Sequence, residues 1–199
     1  MNALPKSLAA LVLLAGMGLA STAEAALISR LGGLAVYDTD RNITWLANAN
    51  ANGQMMWQAA KTWAEGLNIG GYTGWRLPTA DPACGFNFNC TNSELGHLFY
   101  TEGGLTQGQS ITSSAVLSGL FSNMQNSGYW SGTEYAPNPD LAWLFGTDNG
   151  VQGYSNKGNN FYAWAVRSGD VAAVPEPGVM GLLGIGALAW AGTKARRRG

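Results

Sequence analysis

Four short runs rich in aromatic and β-branched residues fill the second half of the chain, and they constrain its fold more than any other feature. They are SGYWSGTEY, LAWLFGT, VQGYSN and FYAWAVRS, and turns separate them. Runs of this length and composition are typical of strands. Asp148-Asn149-Gly150, between the second run and the third, is a strong hairpin signal. The second half is therefore predicted to be β structure.

The first half opens with VYDTDRNITWLAN, which predicts two short strands around a polar turn. Asp38, Asp40 and Asn42 occupy the turn, at the spacing with which a calcium loop begins. The glycine and the position-twelve glutamate of an EF-hand are missing. We therefore favour a turn held by side-chain-to-backbone hydrogen bonds over a calcium site.

Helical spacing appears next, in MMWQAAKTWAEGLNIGG. Asn68 and Gly70-Gly71 give the stop signal. We interpret Trp63 as a core residue rather than as part of a sugar platform with Trp57. The apolar residues expected on one face of this helix are Met56, Ala59, Ala60, Trp63, Ala64 and Leu67.

A second helix is predicted in TNSELGHLFY, where Thr91-x-x-Glu94 has the capping-box pattern. His97, the single histidine, is interpreted as a packed or solvent-facing residue rather than a catalytic base. Arg76, in the extended stretch GWRLPT, is expected to pair with a carboxylate. ITSSAVLSGLFSNM is either a third short helix or a covering loop.

The two cysteines, Cys84 and Cys90, lie close together in CGFNFNC. Export into an oxidising compartment favours a disulfide between them; a pair of free redox thiols is the alternative. With His97 they make three ligands without a fourth, so the sequence predicts no metal site there.

The N-terminus has the layout of a secretory signal peptide. Lys6 precedes an apolar run from Leu8 to Leu19, which is followed by Ala23-Glu24-Ala25. These are the three parts of such a signal, so residues 1–25 are predicted to be removed after Ala25. A first transmembrane helix is the alternative, but the run is shorter than the roughly 17–25 residues that a span needs.

The C-terminus, VPEPGVMGLLGIGALAWAGTKARRRG, combines three parts in a fixed order. Pro175, Glu176 and Pro177 come first, and the uncharged stretch 178–193 follows, marginal in length for a spanning helix. A basic cluster, which would stay on the cytoplasmic side, comes last. Its members are Lys194, Arg196, Arg197 and Arg198.

This order resembles the PEP-CTERM sorting signal of Gram-negative bacteria. The resemblance implies that residues 174–199 are a sorting tail with a single span, and that exosortase, a membrane enzyme, recognises residues 175–177. It implies export through the inner membrane to the envelope surface or the extracellular matrix, where such proteins accompany exopolysaccharide and biofilm. The alternative is a plain C-terminal membrane anchor.

Charge narrows the range of partners. Between Ala26 and Glu176 there are six basic and eleven acidic residues, a net charge of −5. A weakly acidic domain repels phosphate backbones, so we expect no nucleic-acid partner.

The region between the two ends resembles the Lcl C-terminal domain, named for a collagen-like adhesin. The matching order is VYDTDRNITW, W-x-x-A, GWRLPT, EL, YWSGTEY, AWLF-x-x-DNG and YAWAVR, over about Val36 to Arg167. For residues 26–173 the resemblance implies an α+β, C-type lectin-like fold with two main helices and a small twisted antiparallel sheet. In the naming adhesin this domain is implicated in binding sulfated polysaccharide.

The chain departs from the family pattern by the insertion ADPACGFNFNCT. This stapled insertion either presents Phe86 and Phe88 as a recognition tip or tucks them onto the body. The calcium-ligand tripeptides of sugar-binding C-type lectins are also missing. Candidate ligand residues remain in roughly that region, so calcium-dependent sugar binding is one hypothesis and a site of aromatics and amides another. The candidates are Glu134, Asn138, Asp140, Asp148 and Asn149.

Two classes of function follow. The first is a non-enzymatic surface or matrix module that binds glycan, or a structural envelope component without a small ligand. The second is an enzyme related to formylglycine-generating oxidases, which use a reactive cysteine pair near the end of the domain. No cysteine follows Cys90, so we expect no catalytic residues and no required cofactor.

Overall fold

Residues 27–171 are described by a computed structural model of the chain. The expected signal peptide and the sorting tail, with Pro175, Glu176, Pro177 and the basic cluster, lie outside the described residues. None of the helices between residues 27 and 171 has the length and apolar character needed to cross a bilayer.

Between residues 27 and 171, nine strands form two sheets. They are β1 Leu27–Arg30, β2 Ala35–Asp38, β3 Ile43–Leu46, β4 Gln54–Met55, β5 Gly128–Glu134, β6 Leu141–Gly146, β7 Val151–Asn156, β8 Phe161–Tyr162 and β9 Val166–Ser168. The first sheet has the order β1-β2-β3-β9 and is antiparallel throughout. The second has the order β4-β8-β5-β6-β7, and its β5–β8 pair is parallel.

The α+β class is confirmed, but one small antiparallel sheet was an incomplete prediction. The hairpin around Asp148-Asn149-Gly150 forms as expected, with β6 and β7 paired in register from Leu141↔Asn156 to Gly146↔Val151. The second sheet is mixed because β8 returns beside β5 after the β6–β7 hairpin has used the other edge of β5. A crossover of this kind leaves no local sequence signal.

The part of the chain that the structure describes has three α-helices: α1 Trp57–Glu65, α2 Glu94–Gly96 and α3 Ala115–Leu120. The chain continues from α2 into a π-helical turn over His97–Glu102, where the amide of Gly103 donates to the carbonyl of Leu98. Short 3-10 turns occur at Leu31–Gly33 and Ile111–Ser113. The stretch predicted as a third helix or a loop is thus helical.

The buried face of α1 differs from the prediction. Trp57, Ala60 and Ala64 face the core, whereas Met56 and Ala59 are exposed and Trp63 is half-buried against the core. The Trp57 indole nitrogen donates to the carbonyl of Ser131. This hydrogen bond anchors the ring and so sets the rotation of the helix. The spacing of apolar residues in the sequence gives no sign of that bond.

The capping box predicted at Thr91 and Glu94 is wrong. Ser93 caps α2 instead, because its hydroxyl accepts from the amide of Gly96 at 3.1 Å. Glu94 is then free to turn away from the helix, and its carboxylate meets Arg76. The side chain that a capping box would have used therefore forms an ion pair instead.

The core is built around buried tryptophans that also make hydrogen bonds. Trp164 packs edge-on against Trp45, with ring centroids 5.3 Å apart, and its indole nitrogen donates to the carbonyl of Leu46 at 2.7 Å. Trp130 donates to the carbonyl of Met55 and Trp75 to that of Tyr72. Buried indoles usually find such partners, whereas the buried indole nitrogen of Trp45 has none among the described residues.

Arg76 and Glu94 form the ion pair that the sequence predicted, and we call it the Arg76–Glu94 clamp. The two terminal guanidinium nitrogens of Arg76, Nη1 and Nη2, donate to the carboxylate of Glu94 at 2.7 Å. The same carboxylate accepts from the amide of Thr79 at 2.7 Å, and the amide of Glu94 donates back to the carbonyl of Thr79. Hydrogen bonding to this carboxylate raises the pKa of Arg76 above its ordinary value. The clamp closes the base of the stapled insertion.

We predict that Glu94→Ala lowers the free energy of unfolding by about 2–4 kcal/mol, because it leaves a guanidinium and the Thr79 amide without their shared acceptor. The measurement is urea unfolding followed by circular dichroism. Asp170→Ala is the matched control, since it removes the Arg30–Asp170 pair nearer the surface, at a cost of about 1 kcal/mol or less. Equal losses in the two variants would show that the clamp has no special weight.

Candidate functional site

The stapled insertion docks on an edge of the five-stranded sheet. The amide of Asn87 donates to the carbonyl of Gln152 at 3.2 Å, and the amide of Gln152 donates back to the carbonyl of Asn87 at 2.9 Å. This bridge gives the outer edge of β7 a partner. An unpaired edge is a site of unwanted association, so the insertion also protects the sheet.

The side chain of Gln152 holds the insertion from beneath. Gln152 is 1% exposed. Its Oε1 accepts from the amide of Asp81, and its Nε2 donates to the carbonyls of Asp81 and Gly85. One buried amide thereby satisfies three backbone groups of a loop that has no regular structure of its own.

The predicted disulfide between Cys84 and Cys90 is present, with Cα atoms 5.7 Å apart. It closes a short ring, so its stabilisation in the chain-entropy model is modest, about 2 kcal/mol. The disulfide also constrains Phe86 and Phe88, because both lie in the ring that it closes.

Beside the docked insertion four aromatic rings line an open groove of about 370 Å³, which we call the aromatic groove. Tyr135 stacks on Tyr154 with centroids 4.2 Å apart, and Trp143 meets both tyrosines edge-on. Phe86, which is 65% exposed, packs edge-on against Tyr154 at 5.9 Å. The remaining lining residues are Pro82, Gly85, Glu134, Ala136 and Pro137.

Polar groups stand at the edge of the aromatic groove. Partial desolvation, together with a hydrogen bond to Tyr154, raises the pKa of the Tyr135 phenol above its ordinary value. The Glu134 carboxylate pairs with Lys157 and remains about half exposed. The ammonium of Lys157 also lies 4.5 Å from the Trp57 ring. The groove therefore offers apolar ring faces beside hydroxyl and carboxylate groups, the usual composition of a small-ligand site.

Only some of the candidate residues named from the sequence line the aromatic groove. Phe86 and Glu134 line the groove, whereas Phe88 does not. The two alternatives for the insertion each hold in part, since its backbone is docked while Phe86 stays exposed.

The candidate oxygen ligands do not converge on one point. Asn138 and Asp140 form a turn before β6, in which the Asn138 side chain accepts from the Asp140 amide. Asp148 and Asn149 lie in the turn after β6. A six-residue strand separates the two turns by roughly 17 Å, so one ion cannot take ligands from both.

Tyr135, Trp143 and Tyr154 were not singled out from the sequence. The hairpin signal contained the information for two of them: counting back from the Asp-Asn-Gly turn places Trp143 opposite Tyr154, as the register has it. Cross-strand aromatic pairs of this kind are in contact. Tyr135 joins them through the loop between β5 and β6, whose course the sequence does not specify.

We predict that Gln152→Leu frees the insertion while the sheets stay folded. The change leaves three backbone groups of the insertion without partners, so amide exchange in residues 81–88 accelerates about tenfold or more. Hydrogen–deuterium exchange with mass spectrometry measures this. Gln54→Leu, on the exposed strand β4, is the control and leaves that exchange unchanged. Unaltered exchange in Gln152→Leu would mean that the disulfide and the Asn87 bridge hold the insertion alone.

Both resemblances noted in the sequence are confirmed by comparison with known families. The Lcl C-terminal domain model matches residues 34–167, which contain the clamp, the insertion and the whole aromatic groove. The PEP-CTERM protein-sorting motif matches residues 173–198. No curated protein gives a significant match to the chain. The chain therefore belongs to the Lcl C-terminal domain family and carries the sorting motif of extracellular proteins that exosortase processes.

Proposed function

We propose that this protein is a non-enzymatic glycan-binding module outside the cell, and that its binding site is the aromatic groove. The observation that carries the proposal is the ring cluster beside the Glu134 carboxylate, in which Phe86 and Tyr154 are exposed, Tyr135 is half-buried and Trp143 is buried against them. Exposed aromatic surface of this extent on a folded domain is typical of a binding site.

The chemistry of a sugar ring fits this surface. The axial C–H groups of a pyranose form an apolar face that packs on an aromatic ring, while its hydroxyls need hydrogen-bond partners at the edge. The aromatic rings provide the apolar contact. The hydroxyls of Tyr135 and Tyr154 and the carboxylate of Glu134 provide the hydrogen-bond partners. Phe86 and Tyr154 meet at 82°, so they form a corner rather than a flat platform. Such a corner suits one or two sugar units of a longer chain.

Charge favours a neutral or weakly acidic glycan over a sulfated one. The lining residues include the acidic Glu134 and no basic residue. Lys157, a cation beside them, is already paired with Glu134. Sulfate groups are held by Arg and Lys side chains, and this groove has none to spare.

We further propose that the glycan is an exopolysaccharide and that the protein acts in adhesion within a biofilm matrix. The sorting motif supports delivery to the envelope of a Gram-negative bacterium, with membrane contact through the C-terminal segment before processing. We assign the fold to the C-type lectin-like class. The pairing of β3 with β9, near the two ends of the described residues, supports this assignment.

A structural envelope component without a small ligand is the second candidate. An oxidase of the formylglycine-generating kind is less well supported, because its reactive thiols would have to be Cys84 and Cys90. The sulfurs of Cys84 and Cys90 are joined in a disulfide, so neither is a free thiol.

The test is isothermal titration of the full-length chain, disulfide intact, with cellohexaose, dextran and chondroitin sulfate. We expect saturable binding of a neutral glycan. Phe86→Ala and Tyr154→Ala each weaken it about tenfold, the loss of roughly 1.4 kcal/mol of contact energy. Each titration is run with calcium and with chelator, so that a metal requirement would appear as a loss of binding.

Phe88→Ala is the matched control: it removes the same ring from the same insertion but outside the groove, and it leaves the affinity unchanged. Binding that survives both groove substitutions would place the glycan elsewhere. Absence of binding to every glycan would favour the structural component.

A further inference from the structure

Asp38, His97 and Glu102 form a buried group, and we call it the acid–imidazole cluster. Nε2 of His97 lies 3.2 Å from Oε1 of Glu102 and 3.9 Å from Oδ2 of Asp38. The three donor atoms all lie within 4.8 Å of one another. The side chain of Asp38 is 0% exposed, that of Glu102 3% and that of His97 10%.

Asp38 was expected in a turn held by side-chain-to-backbone hydrogen bonds, and this prediction is confirmed; its side chain is in addition fully buried. Its Oδ1 accepts from the amide of Arg41 at 2.9 Å, as a turn residue should. Its Oδ2 has no hydrogen-bond partner among the described residues and points into the cluster. A buried carboxylate oxygen without a partner lowers the stability of the fold. A positive group or a hydrogen-bond donor at this place would offset that loss.

The surroundings do not supply that group from a basic side chain. The guanidinium of Arg41 donates to the carbonyl of Thr91 instead. Among residues 27–171, the only ion-pair partner of Asp38 and Glu102 is His97 itself. Burial, with the nearby charge of Glu102 and Asp40, raises the pKa of Asp38, while the Arg41 amide and His97 oppose the rise.

The π-helical turn brings two of the three donors together. In an α-helix, residues five apart point roughly 140° away from each other, and His97 and Glu102 would diverge. Over His97–Glu102 the turn is π-helical, so the two side chains lie on the same side. π turns are rare and occur frequently at functional sites. Here the distortion has a clear geometric result, the 3.2 Å approach of His97 to Glu102.

We propose that the acid–imidazole cluster binds a divalent transition-metal ion of the Zn²⁺ type, through Nε2 of His97, Oδ2 of Asp38 and Oε1 of Glu102. One imidazole with two carboxylates is a donor set suited to Zn²⁺ and its neighbours, whereas Ca²⁺ and Mg²⁺ take oxygen ligands alone. Around a tetrahedral zinc with bonds of about 2.0–2.2 Å, donor atoms lie roughly 3.3–3.6 Å apart. His97 and Glu102 are already close to this separation, and an inward movement of Asp38 would complete the set.

The ion would join the end of β2 to the π-helical turn and so connect the four-stranded sheet to the helical layer. Its charge would neutralise the two buried carboxylates. Three protein ligands leave a fourth position for water, and His97 is the member of the cluster with most access to solvent. This site is separate from the aromatic groove, which shares none of its residues.

The test uses the untagged full-length chain, stripped with EDTA and titrated with zinc chloride alone. We expect one equivalent of zinc by elemental analysis, and a rise in Tm of about 5–10 °C at a free zinc concentration of about 100 Kd. His97 is the only histidine, so its imidazole nitrogen resonances report the site directly. Zinc should shift the Nε2 resonance.

Asp38→Asn and Glu102→Gln are expected to weaken zinc binding at least tenfold. Asp40→Asn is the matched control, because Asp40 lies in the same turn but is exposed, and it should bind as the unaltered chain does. Should either cluster variant fail to fold, the imidazole resonance of the unaltered chain still decides the matter. Zinc binding that leaves that resonance unmoved, or less than 0.1 equivalent bound, overturns the proposal.

Discussion

The bidentate contact between Arg76 and Glu94 is the interaction on which the other parts of this structure depend. Arg76 also exchanges two backbone hydrogen bonds of 2.8 Å with Val166, so the clamp is anchored to the last strand of the first sheet. On one side it closes the base of the insertion at Thr79. On the other it starts α2, and with it the π-helical turn that carries His97. Ser93, the residue before Glu94, is the helix cap.

Two sites of opposite character result from this arrangement. The aromatic groove is open, and its rings are held at the surface by an insertion whose backbone is fixed at Gln152 and at the disulfide. A preformed site of this kind loses little conformational freedom when a ligand binds. The acid–imidazole cluster is closed, and its polar atoms lie within the folded body. The first suits recognition of an external polymer, and the second suits stabilisation of the fold by an ion.

The sequence predicted the features that depend on local chemistry. The strands on either side of the Asp38–Asn42 turn, the Asp-Asn-Gly hairpin, the disulfide and the need of Arg76 for a carboxylate all followed from short-range patterns. The features that it missed depend on contacts distant in the chain. Trp57 rotates α1 because its indole bonds to Ser131, and the parallel β5–β8 pair forms far from any turn signal. The contacts of Tyr135 in the groove and of Asp38 with His97 exist only in the folded chain, so no local pattern predicts them.

The central claim is that the aromatic groove is a glycan-binding surface, and aromatic ¹H–¹³C NMR of the full-length chain tests it most directly. Titration with a soluble neutral oligosaccharide should shift the ring resonances of Phe86, Tyr135, Trp143 and Tyr154 with one common affinity. The rings of Phe88 and the buried Trp164 should stay where they are. Shifts that spare the four groove rings while others move would contradict the account.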